Sequence, residues 1–231
     1  TNLGNERHYT DSRQNKNLNA YLNYVKEFGK LKLDVTGGYN YQLFEREAYS
    51  TGEIRQPNPA EDVTTDPDIN LQSFFGRINI GFDSRYLLTL NYRRDGTSRF
   101  SEENRWGDFG GAAFAWNIAE ESFLKNNKTI SALKLRVGYG TAGQQDISAS
   151  YDYLRRVTLG TVNSNYVFGS TAYQVARTQG YNEDIKWETT TEFNVGVDFG
   201  FLENRINGSL NYFNKVASDL LADIAYPDGA N

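Results

Sequence analysis

Leu31-Lys32-Leu33-Asp34-Val35-Thr36-Gly37-Gly38-Tyr39-Asn40-Tyr41-Gln42-Leu43 decides the fold class. Its odd positions read Leu, Leu, Val, Gly, Tyr, Tyr, Leu, and its even positions read Lys, Asp, Thr, Gly, Asn, Gln. Successive side chains of a strand point to opposite faces, so this alternation describes one apolar and one wet face. A helical repeat of about 3.6 residues cannot produce it. Residues 187–199 repeat the pattern: Trp187, Thr189, Thr191, Phe193, Val195, Val197 and Phe199 alternate with Glu188, Thr190, Glu192, Asn194, Gly196 and Asp198.

Six further segments alternate less fully, at 18–24, 74–82, 86–92, 110–116, 133–139 and 206–212. The expectation is eight strands in four hairpins. Visible alternation spans 13 residues in two of them, 9 in a third and 7 in the rest, without fixing their ends, and most are expected to run 9 to 13 residues or more, whereas globular strands average about 5–6 and a membrane-crossing strand needs about 9–11. The polar phase is rich in Asn, Thr, Ser and Gly, which suits a crowded, hydrated lumen. Connections at 27–30, 83–85 and 202–205 are short, and those at 45–70, 95–105 and 143–184 are long. The link 119–131 is longer than its end of the sheet would suggest, and Glu120 to Leu124 could form one helical turn there.

Aromatic residues gather at the strand ends. Phe28, Phe82, Tyr86, Trp116, Phe199 and Phe201 stand on the short-turn side; Tyr39, Tyr41, Tyr92, Trp106, Tyr139 and Trp187 stand on the other. Short turns at one end, long loops at the other and two aromatic girdles predict part of an antiparallel transmembrane β-barrel, with periplasmic turns and extracellular loops. A soluble sandwich that binds carbohydrate through loop tyrosines, and a small complete eight-stranded membrane barrel with a structural or adhesive role, are the competing readings.

Composition agrees. The chain has 231 residues, with 16 Tyr, 14 Phe, 3 Trp, 21 Gly and only 4 Pro. Lys+Arg 24 against Asp+Glu 29 gives a net charge of −5, without the basic excess that nucleic acid demands. Cysteine is absent and His8 is the lone histidine, so disulfides, thiolate chemistry and multi-histidine metal sites are excluded. No apolar run approaches the 18 or so residues of a membrane helix. Methionine is absent, even at position 1, and both ends (1–16 and 222–231) are polar. The expectation is a segment of one barrel domain, 1–231, from the middle of a longer chain.

Three motifs read as structural. Gly138-Tyr139-Gly140-Thr141-Ala142-Gly143 fits a dinucleotide fingerprint, but Gln144-Gln145-Asp146 opens no helix after it. No cofactor is expected. Asp66-Pro67-Asp68-Ile69-Asn70 imitates the start of a calcium loop, yet Leu71 and Arg77 stand where Gly and Glu belong, so it reads as an acidic turn. Glu188 and Glu192 share a strand face about 13 Å apart, too far for a glycosidase pair. With His8 alone there is no Ser/His/Asp set, and an enzyme is not expected.

The run Arg85-Tyr86-Leu87-Leu88-Thr89-Leu90-Asn91-Tyr92-Arg93-Arg94-Asp95-Gly96-Thr97-Ser98-Arg99-Phe100 resembles the SusC/RagA-like TonB-dependent outer-membrane transporters. Asn104-Arg105-Trp106-Gly107, Trp116-Asn117-Ile118-Ala119-Glu120-Glu121-Ser122-Phe123, the Leu133 to Gln145 run, Ile185-Lys186-Trp187-Glu188-Thr189-Thr190-Thr191, Asn204-Arg205-Ile206 and Tyr212-Phe213-Asn214-Lys215 continue the likeness in register, ending at Asp219-Leu220-Leu221. Residues 1–73 fit by pattern alone.

The resemblance implies a barrel of about 22 strands in the outer membrane of a Gram-negative bacterium. It also implies an N-terminal plug, a TonB-contacting segment, a SusD-like surface lipoprotein as lid, and oligosaccharide or peptide cargo. Two groups then become candidate sites. Tyr151, Tyr153, Tyr166, Tyr173 and Tyr181, with Arg155 and Arg156, stand in the 143–184 loop, where cargo or lid would arrive. Tyrosine offers an apolar ring and a hydroxyl to such a partner; packing within the loop is the alternative. Arg93, Arg94, Arg99 and Arg105 surround the Asp95-Gly96 turn and are candidates for salt bridges to plug or neighbouring loops, against a simply solvated loop.

Overall fold

A computed structural model describes residues 7–52, 60–125, 127, 129–147, 151–159 and 165–222. Eight long strands form one antiparallel sheet: β1 (Arg7–Phe28), β2 (Leu31–Gly52), β3 (Ala60–Phe82), β4 (Tyr86–Thr97), β5 (Trp106–Asn117), β6 (Ile130–Gln144), β11 (Glu188–Phe201) and β12 (Ile206–Ser218). They lie side by side in chain order, so each strand pairs with the next and β1 and β12 are the edges. Between β6 and β11, β7 (Val157–Leu159) pairs with β10 (Ala176–Thr178), and β8 (Asn165–Phe168) pairs with β9 (Thr171–Gln174).

The register makes the alternation two-dimensional. One row crosses all eight strands as Tyr24, Val35, Ile78, Leu90, Ala112, Tyr139, Phe193 and Asn214. A row nearer the tight turns is Leu33, Ile80, Leu88, Phe114, Val137, Val195 and Tyr212. This is the lipid-facing phase of a barrel wall. The opposite phase is polar and cross-linked. The Asn23 amide donates to Asp34 (2.7 Å) and Thr36 (2.8 Å), the Thr89 hydroxyl donates to Asn79 (2.9 Å), and Arg136 forks onto Asp198 (2.8 and 2.7 Å). The sheet has almost no interior of its own, because its apolar face is built for lipid.

The expected loop at 45–70 is mostly strand. β2 and β3 continue in register from Arg46↔Asp66 to Gly52↔Ala60, and β1 likewise takes in residues 7–16. At about 3.3 Å per residue the 22-residue β1 and β2 and the 23-residue β3 are each roughly 70 Å long, more than twice the hydrocarbon thickness. In residues 46–52 and 60–66 polar residues stand in both phases, so the sequence carries no alternation there, while the backbone ladder continues. Asp66–Asn70 is thus neither a calcium loop nor a turn. Pro67 and Asp68 stand opposite Glu45 at a register shift, where a residue without an N–H costs the ladder little.

The glycine-rich motif at 138–143 lies wholly within β6, and the described residues 145–147 behind it are not helical. A 3-10 turn over Ile118–Glu120, followed by backbone bonds from Leu124 and Lys125 to the Glu121 carbonyl, fills the 119–131 link.

Candidate functional site

The long-loop end of the sheet carries the only compact apolar cluster among the described residues. Phe100 is fully buried, and Phe109 and Trp187 are nearly so, with Ile147, Ile185 and Leu221 packed around them. Trp187 meets Phe100 and Phe109 edge-on, at ring-centre distances of 5.8 and 5.5 Å. Phe109 falls in the polar phase of β5, beyond the last β5–β6 pair at Gly111↔Gly140, and its ring reaches across to Gly143 of β6. Trp187, expected in the outer girdle, is therefore part of this cluster. It precedes β11, and its indole N–H donates to the Arg105 carbonyl (3.0 Å), which turns the ring inward. Gly143 makes the packing possible: a Cβ there would overlap the Phe109 ring.

Polar contacts fasten the loops to this base. The Thr97 hydroxyl donates to Gln145 Oε1 (3.0 Å). Arg99, largely buried, donates to the Ile147 carbonyl (2.8 Å) and pairs with Asp146 (3.1 Å). The Tyr151 hydroxyl contacts Ser98 Oγ (3.0 Å) and donates to the Asp68 carbonyl, joining the loop to β3 and β4.

The candidate tyrosines therefore separate into two groups. Tyr151 and Tyr153 are half-buried, with rings 6.0 Å apart, and hold the loop base. Arg156 Nη2 donates to the Tyr151 carbonyl (3.4 Å), and the Arg155 guanidinium stands 5.8 Å over the Tyr181 ring. Tyr166 and Tyr173 are directly paired across the β8–β9 hairpin, whose turn uses Gly169 at φ +63°. They share a face with Phe168, which meets Tyr173 edge-on at 6.0 Å. This face is open: Tyr166 is 66%, Phe168 71% and Tyr173 56% exposed.

The four arginines do not form one group. Arg93 lies in the luminal phase, donating to Asp95 (2.5 Å) and to Ser73 Oγ (2.8 Å). Arg94 lies on the lipid side, 5.4 Å over the Trp106 ring and 3.9 Å from Asp108. Arg99 clamps the loop, and Arg105 has a buried Nε without a hydrogen-bond partner among the described residues. The sequence reading missed the Phe100–Phe109–Trp187 cluster. Its available signal was an aromatic residue, Phe109, in a strand's polar phase, opposite a neighbouring strand rich in glycine.

A family model described as "TonB dependent receptor-like, beta-barrel" matches residues 1–231. The chain belongs to this family. It is 38% identical over 230 residues to TonB-dependent receptor SusC of Bacteroides thetaiotaomicron, covering 96% of this chain and 23% of SusC. TonB-dependent receptor P3 of Formosa agariphila is 34% identical over 223 residues, covering 90% of this chain and 22% of that protein. Among solved structures, the RagAB peptide transporter superposes with a TM-score of 0.74 at 25% identity, over 96% of this chain and 25% of that one. The RagAB peptide importer in its "open-open" state gives 0.75 at 24%. The chain thus spans about a quarter of the length of these relatives. TonB-dependent receptors of this SusC-like kind are outer-membrane proteins of Gram-negative bacteria and form a transporter family.

Proposed function

We propose that this chain is a wall segment of an outer-membrane importer of oligosaccharides or peptides. In the whole receptor, an N-terminal plug region would engage the TonB complex and a SusD-like surface lipoprotein would close the outer face. The exposed β8–β9 hairpin, with Tyr166, Phe168 and Tyr173 on one face, is the observation that carries this reading. An isolated two-stranded hairpin is marginal in water, and an open aromatic face of this kind suits a sugar ring, a peptide or a lid protein. The anchored base set by Phe100, Phe109, Trp187 and Tyr151 would keep that face in place at the mouth of the lumen. Of the four arginines, Arg93 would be the one to meet a plug, and its position in the polar phase of β4 supports that reading.

Deleting residues 164–174 in the full-length receptor tests the assignment. Uptake or lipoprotein pull-down should fall while surface levels stay normal. Loss of pull-down marks a lid contact, and loss of uptake with pull-down intact marks a cargo contact. If both are unchanged at equal surface expression, the hairpin has neither role.

A further inference from the structure

The link between β5 and β6 does more than join two strands. Tyr86 and Trp116 lie in one register row with Phe82, Leu135, Val197 and Leu210, so their rings point to the lipid side at the tight-turn end. Both polar tips end on the same carboxylate. The Tyr86 hydroxyl donates to Glu121 Oε1 (2.6 Å) and the Trp116 indole N–H donates to the same oxygen (3.0 Å). Arg85 Nη1 donates to Oε2 (2.8 Å), and its Nη2 donates to Asp83 (2.6 Å). Glu121 is 8% exposed.

Residues 118–125 are therefore folded back over the lipid side of the periplasmic rim. In a membrane-interface belt, Tyr and Trp keep their rings in the apolar region and turn their polar tips to the wet side. Here the protein supplies that polar partner itself, as a carboxylate and guanidinium pair. Just beyond it Phe123 is 70% exposed and the Lys125 side chain 67% exposed, with only a 3.8 Å approach to Glu120. Strands β5 and β6 are flanked on both sides by β4 and β11 of this same chain, so no further wall strand can cover this patch from the lipid side.

We propose that residues 118–125 are a membrane-surface segment of the barrel, with Phe123 seated among the phospholipid headgroups of the periplasmic leaflet and Lys125 reaching their phosphates. An apolar ring beside a cation is the side-chain pairing that an anionic interface recognises. This inference draws on the membrane placement of the wall and not on what the barrel transports.

The test uses the full-length receptor in phospholipid nanodiscs, with Phe123→Cys carrying an environment-sensitive fluorophore and Glu102→Cys on the opposite rim as the aqueous reference. Phospholipid brominated near the headgroup end of its acyl chains should remove about half of the emission at 123, and aqueous iodide only a small fraction. The same label at Lys125→Cys should show intermediate lipid quenching, and adding Glu121→Gln should weaken lipid quenching at 123 by releasing the segment. Iodide quenching at 123 equal to that at 102, with no lipid quenching, would overturn the proposal.

Discussion

Val195 and Asn194 are neighbours in β11 and face different surroundings. Val195 shares the apolar row with Leu33, Ile80, Leu88 and Val137, six residues from the turn end of the strand at Phe201. Asn194 lies in the opposite phase, over Gly138, in a shallow groove that also includes Gly111, Gly140, Glu192 and Lys215. Arginine at Val195 is expected to cost about 2–4 kcal/mol near mid-bilayer, whereas Asn194→Arg can extend its charge into the lumen. Denaturant titration of both variants in bilayers checks this, and equal costs would reverse or remove the assigned phase. A second residue-scale expectation concerns Gly143. Gly143→Ala forces the Phe109 ring out of its seat and should destabilise the rim by about 1–3 kcal/mol, as overpacking does. Protease sensitivity of the 145–159 segment reports it, and Phe109→Ala in the same chain should relieve part of the effect. The facing of Val195 was legible in the sequence, because alternation encodes phase directly. The Gly143–Phe109 contact was not, because it joins strands whose spacing along the chain says nothing about register.

At the scale of elements, the eight wall strands were legible where lipid and lumen differ, and illegible where both faces meet water. That is why β2 and β3 run past the expected boundaries at 45 and 70: the backbone pairing persists after the side-chain signal ends. The four small strands inside the 143–184 loop are three or four residues each, too short to alternate visibly. The rim clamp at Glu121 was equally hidden, since its partners Arg85 and Tyr86 are more than thirty residues away. That clamp has a pH signature. Hydrogen bonds from Tyr86 and Trp116, then Arg85, hold the Glu121 carboxyl below its ordinary value. A carboxylate with a lowered folded-state pKa contributes stability that is complete above the unfolded value and is lost as pH falls through the folded one. The difference in thermal unfolding midpoint between the natural protein and Glu121→Gln should hold from neutrality to about pH 5 and shrink below about pH 4. Gel-shift unfolding curves at a series of pH values measure it. A gap that widens on acidification would contradict the clamp.

The whole molecule is a strip of wall, polar on the lumen side and apolar on the lipid side, with an ordered rim at its outer end and a clamped turn at its inner end. Family membership places it in the outer membrane; the transport, cargo and lid roles proposed for it are what the hairpin deletion addresses. Among the described residues no group of acidic, His or Cys side chains is arranged to hold a metal ion, and no helix is long and apolar enough to cross a membrane, a criterion that does not bear on crossing by strands. Each wall strand divides lipid from lumen residue by residue. A cysteine scan of β11 from 190 to 198, in the full-length receptor with any other cysteines removed, tests it most directly; this chain has none of its own. A small membrane-impermeant thiol reagent should label positions 190, 192, 194, 196 and 198 and spare 191, 193, 195 and 197. Uniform labelling, or labelling in the opposite phase, would contradict the account.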